Sequence, residues 1–145
     1  MKEELLKALK EAMREKDEIK KDTITMLRAA FLQIEKDEKK ELSQGDMEAI
    51  VAKQIKIRKE SLDDYRKAGR DDIVSRIEKE VEILSVYLPE QLTEEEITIL
   101  VKNAIKKVGA TTPRDMGKVM QEIRPQIVGK ADGKVVSNIV KQMLN

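Results

Sequence analysis

The sequence predicts an all-α protein: an N-terminal bundle of long amphipathic helices followed by a compact three-helix C-terminal domain. Three observations carry that prediction. Apolar residues recur every three or four positions along most of the chain, the spacing of one face of a helix. Charged residues make up 39 % of 145 positions, a load that long helices with solvated outer faces carry best. No segment of alternating apolar and polar residues competes as a strand.

The elements follow in order. Leu5, Leu6, Leu9, Ala12 and Met13 make one face of a first helix. Ile24, Leu27, Phe31 and Ile34 stripe a second, running to about Lys40. Gly45 marks a turn, and Ser43 with Asp46 three residues on has the spacing of a capping box. Met47, Ile50, Val51, Ile55, Leu62 and Tyr65 define a third helix, which Ala68-Gly69 stops. Asp71 or Asp72 is expected to cap a fourth, built on Ile73, Ile77, Val81, Leu84 and Leu88. Pro89 biases Leu88 away from helical backbone, so the fourth helix should end there.

Thr93 with Glu96 is a second capping-box signature, and the domain boundary is placed here: residues 1–92, then 93–145. Ile97, Leu100, Val101, Ala104, Ile105 and Val108 form a fifth helix closed by Gly109. Thr112-Pro113 starts a sixth, carried by Met116, Val119, Met120 and Ile123, and Pro125 should break or kink it near Arg124. Residues 129–133 read as a loop with Asp132 as the next cap. Val135, Val136, Ile139, Val140 and Met143 form the last helix.

Composition excludes several function classes. Cys and His are absent. No disulfide points to secretion, no Cys/His zinc site can form, and the usual general base and nucleophilic pairs are missing. None of the serines lies in a Gly-x-Ser-x-Gly elbow, and no Gly-rich phosphate loop or dinucleotide fingerprint occurs. No catalytic residue, metal ligand or cofactor is therefore expected. Lys2, Glu3 and Glu4 do not suit a signal peptide. No apolar run approaches the roughly 20 residues that span a bilayer. The expectation is a cytoplasmic protein without membrane association.

Net charge is +1 but unevenly placed: residues 1–92 hold 20 Lys+Arg against 22 Asp+Glu, and residues 93–145 hold 9 against 6. A polyanion would therefore meet the C-terminal part. Two basic groups stand out. Lys53, Lys56, Arg58 and Lys59 cluster on the third helix, either as an anion-holding patch or as a solvated face whose long side chains lie over apolar neighbours. In the tail, Asp115-Met116-Gly117-Lys118-Val119-Met120 is followed by Gly129-Lys130-Ala131-Asp132-Gly133-Lys134-Val135-Val136. Glycines beside lysines allow close approach of a phosphate, and the start of the last helix would favour an anion. Against this, Gly117 could serve helix packing, Gly129 and Gly133 could simply turn the chain, and Asp132 as a cap would compete with an anion.

These two tail stretches and their spacing resemble the C-terminal tail domain of the B subunit of glutamyl/aspartyl-tRNA amidotransferase. Leu88-Pro89-Glu90-Gln91-Leu92, Lys67-Ala68-Gly69-Arg70-Asp71-Asp72 and Arg58-Lys59-Glu60-Ser61 resemble the stand-alone YqeY-like proteins, which carry that tail after a short helical domain. The resemblance implies an all-helical fold and a tail that helps to hold tRNA, which maps onto Gly117, Lys118, Gly129, Lys130, Gly133 and Lys134. The amidotransferase's catalytic body has no counterpart here, so its carbon–nitrogen ligase chemistry, with glutamine as amide donor, is not carried over to the chain alone. Three readings stand: an accessory tRNA- or RNA-binding module without chemistry of its own; a component of a carbon–nitrogen ligase that works only with partner amidotransferase subunits; and an adaptor that docks other proteins. The tail has no aromatic residue, so RNA would be held through phosphate and shape rather than base stacking.

Overall fold

The computed structural model describes residues 1–145 and contains seven α-helices and no strand. The chain divides into two compact units, Met1–Leu88 and Pro89–Asn145.

The first unit holds α1 (Lys2–Glu15), α2 (Glu18–Glu38), α3 (Gln44–Lys67) and α4 (Asp71–Ser85). α2 packs on α1, α3 and α4, and α3 lies against α4. Leu5, Ile24, Leu27, Phe31, Leu42, Met47, Val51, Ile55 and Leu84 form the core between them. Each large apolar side chain buried there contributes roughly 1.5–3 kcal/mol.

Local chemistry sets the boundaries. α1 ends at Lys16, whose left-handed backbone (φ 58°) turns the chain, and Asp17 then caps α2 by accepting the Lys20 N–H. Ser43 and Asp46 form the expected reciprocal capping box at the start of α3. Glu35 accepts from both the Lys2 ammonium (2.7 Å) and the Leu42 N–H (2.9 Å), which pins the α2–α3 connection. Those two bonds, that from Lys2 first, hold the Glu35 carboxyl below its ordinary value.

Three expectations need correction. Asp71 and Asp72 are the first residues of α4 rather than its cap; Arg70 occupies that position and makes no side-chain cap bond. Leu6 and Met13 lie toward solvent, because α1 buries only the narrower stripe of Leu5 and Ala12. Pro125 does not break its helix. It sits inside α6, which continues to Ile127, and the Val128 N–H bonds the Arg124 carbonyl one turn later. A proline so near a helix end removes a single ladder bond, which the packing of Ile123 and Ile127 outweighs.

The second unit holds α5 (Glu94–Val108), a short 3₁₀ turn (Pro113–Asp115), α6 (Met116–Ile127) and α7 (Gly133–Leu144). Each of the three helices touches the other two. Ile97, Val101, Ala104, Val119, Ile123, Ile127, Val136, Ile139, Val140 and Leu144 make the core. The Thr93–Glu96 capping box starts α5 and Gly109 (φ 67°) ends it. The segment before α5 is tied in by the Leu92 N–H donating to the Lys130 carbonyl (2.9 Å).

Candidate nucleic-acid surface

The candidate residues lie at two places in the second unit. Gly117 and Lys118 are the second and third residues of α6, and both are exposed. A Cβ built on Gly117 meets nothing within 4 Å, so this glycine does not serve helix packing. Just before it, the Asp115 carboxylate accepts from the Thr111 N–H (2.9 Å) and the Thr112 N–H (3.3 Å). These bonds, with a smaller contribution from the positive charge of Lys118, keep the Asp115 carboxyl below its usual value.

Lys130, Gly133 and Lys134 lie past the other end of α6, and all three are exposed. From Lys118 to Ile127 the helix rises about 14 Å, so the lysines are two separated points of positive charge rather than one pocket. Gly129 differs from its neighbours. It is buried, adopts φ 72°, and its carbonyl accepts from the Gln91 side chain at 2.9 Å. Its role is to turn the chain, not to face a ligand. The start of α7 is already occupied, because the Asp132 carboxylate accepts the Lys134 N–H at 2.9 Å. An anion there would have to displace Asp132, so the lysine side chains, not the helix terminus, are the groups that can meet phosphate.

The acids of this unit are mostly spent internally. Glu96, Asp115 and Asp132 cap helices, and Glu122 holds Lys107 at 2.6 Å. Sequence reasoning did not foresee that division of labour; the cap spacings of Asp115 and Asp132 were its visible signal.

The third-helix patch resolves differently. The Arg58 guanidinium is largely buried, with its side chain 12 % exposed, and donates to Glu80 (3.1 Å), the Gln54 side chain (2.8 Å) and the Gln54 carbonyl (3.1 Å). Glu80 also meets Arg76, which reaches Asp22 on α2. Arg58 thus ties α3 to α4 and is not available to an anion. Lys53 and Lys59 remain exposed and Lys56 half-buried.

No three or more acidic side chains gather as a metal site would require. The cleft between α1 and α2, about 230 Å³, is lined chiefly by Leu5, Leu6, Phe31 and Leu32, with Glu35 at its edge already held by Lys2. No helix is long and apolar enough to cross a membrane.

Fold and surface together define a small two-unit helical protein whose second unit engages four acids in caps or an ion pair and exposes Lys118, Lys130 and Lys134. The sequence profile of the family described as YqeY-like protein matches residues 2–144, and the chain belongs to that family. Curated relatives named altered inheritance of mitochondria protein 41, mitochondrial, are similar over much of the chain. The protein of Pyrenophora tritici-repentis is 30 % identical, over 94 % of this chain and 76 % of its own length. That of Vanderwaltozyma polyspora is 31 % identical, over 87 % and 79 %. That of Lachancea thermotolerans is 34 % identical, over 75 % and 60 %. These names overturn the cytoplasmic expectation: the relatives are mitochondrial proteins. That expectation rested on early acids that do not suit a signal peptide and on the lack of a long apolar run, and neither feature specifies a compartment.

Proposed function

We propose that the chain is an accessory RNA-binding module, with tRNA as its ligand class, that contributes no chemistry of its own. The observation that carries this reading is the charge arrangement of the second unit. Caps and the Lys107–Glu122 ion pair engage Glu96, Asp115, Glu122 and Asp132, while Lys118 and Lys130 reach solvent at opposite ends of α6, with the exposed Lys134 a few residues beyond Lys130. Separated lysines suit phosphates some distance apart on a polyanion better than a single small anion. Gly117 and Gly133 leave open space beside them, which lets a backbone come close. The resemblance of the tail to the tRNA-holding domain of the amidotransferase supports the same ligand. The names of the relatives make the mitochondrion the compartment in which to look for it.

The test is a titration of the full chain against bulk tRNA, with an unrelated structured RNA as control, at several salt concentrations. Tighter binding of tRNA at physiological salt is the expected result. Equal and weak binding of both RNAs, confined to low salt, would sink the reading and direct the search to protein partners.

A further inference from the structure

The face of α5 turned away from the core is chemically polarised. Glu95, Ile99, Lys102 and Lys106 follow at intervals of four, three and four residues, which aligns them on one stripe. Ile97, Val101 and Ala104 occupy the opposite, buried side. The stripe is acidic at its start, apolar in the middle and basic at its end.

None of its charges can be neutralised within the helix. Three and four residues after Glu95 stand Thr98 and Ile99. Lys102 has Thr98, Ile99, Ile105 and Lys106 at those spacings, and Lys106 has Lys102, Asn103, Gly109 and Ala110. Lys102 and Lys106 are themselves a like-charge pair one turn apart, an arrangement that weakens an isolated helix. Ile99 between the charged ends is 58 % exposed. Two shallow depressions meet at Ile99. One includes Glu94 and Glu95, and the other, about 300 Å³, includes Ile105 and Met143 with Lys102 and Lys106.

A strip with opposite charges at its two ends and an apolar middle is complementary to itself under a two-fold rotation. Laid antiparallel on a second α5, Glu95 of each copy meets Lys106 of the other, and Ile99 lies over the alkyl stem of Lys102. We propose that this outer face of α5 is a self-association site that takes a second copy of the chain in antiparallel pairing. The 15 residues of α5 span only about 22 Å. The contact falls below the roughly 1,200 Å² of stable complexes, so the pairing is weak and salt-sensitive. An RNA backbone suits this strip poorly, because its acidic end repels phosphate and Ile99 offers no stacking surface.

Sedimentation equilibrium of the full chain, from about 10 µM to about 1 mM and at low and high salt, tests the proposal. A monomer–dimer equilibrium strongest at low salt is expected. Glu95→Lys and Lys106→Glu should each weaken it at least about tenfold. An equimolar mixture of the two variants should restore it, since every reversed charge then faces its opposite. All of these positions are exposed, and circular dichroism should show each variant folded; Glu95→Gln and Lys106→Gln should weaken pairing by less. A chain that stays monomeric throughout, a dimer indifferent to both reversals, or a mixture that fails to recover overturns the proposal. So does loss of tRNA binding in Lys106→Glu with no change of oligomeric state, which would assign the strip to RNA.

Discussion

The two units use their charges in different ways. In Met1–Leu88, charged side chains join helices to one another: Lys2 holds Glu35, Arg58 holds Glu80, and Arg76 reaches both Glu80 and Asp22. In Pro89–Asn145 three acids, Glu96, Asp115 and Asp132, accept from backbone N–H groups at helix starts, the Lys107–Glu122 pair joins α5 to α6, and the candidate lysines are exposed. A basic cluster read from sequence therefore means different things in the two places. Whether a cation is available depends on what its neighbouring acids are already doing, and cap spacing is the best local clue to that.

Breaking this contrast at its strongest point means removing Arg58. Arg58→Ala should destabilise the protein by about 1–3 kcal/mol, read from denaturant unfolding, because Glu80 loses its largely buried partner and keeps only Arg76. The same substitution should leave RNA binding unchanged. A stable variant with impaired binding would make Arg58 an anion-binding residue after all.

Gly129→Ala comes next, at about 1–2 kcal/mol, since an L side chain is strained at φ 72°. Thermal melting would show it, and an unchanged melting temperature would contradict the turning role. Gly117→Ala is the mildest, with a gain of at most about 1 kcal/mol, because the site is helical and open. If that variant is more stable yet binds RNA less well, the open space beside Lys118 has a use other than packing.

Much of the fold was legible because its signals are local. The capping boxes at Ser43 and Thr93 and the stop at Gly109 each involve residues within one turn, and the structure contains all three. The apolar periodicity placed the helices, but it overstated the buried face of α1. Leu6 and Met13 continue the apolar stripe past the width that α1 buries. Pro125 misled because the rule against proline is weakest near a helix end, where one missing bond costs least.

The candidate surface was less legible. The exposed positions of Lys118, Lys130 and Lys134 accord with their charge, which favours solvent. The Gly129 carbonyl is held by Gln91, 38 residues earlier, and the capture of Arg58 depends on Glu80, 22 residues later. No local pattern reports such pairings. A glycine beside a lysine looks the same in sequence whether it turns the chain or opens a surface.

The most direct test of the contrast is the salt dependence of tRNA binding for two triple variants of the full chain. One replaces Lys118, Lys130 and Lys134 by Ala, and the other replaces Lys53, Lys56 and Lys59. Removing a lysine that neutralises one phosphate should flatten the slope of log affinity against log salt by about one. The first variant should show a slope flatter by about three and much weaker binding, and the second little change. The reverse pattern, or equal losses in both, would contradict the claim that the exposed lysines of the second unit meet the RNA.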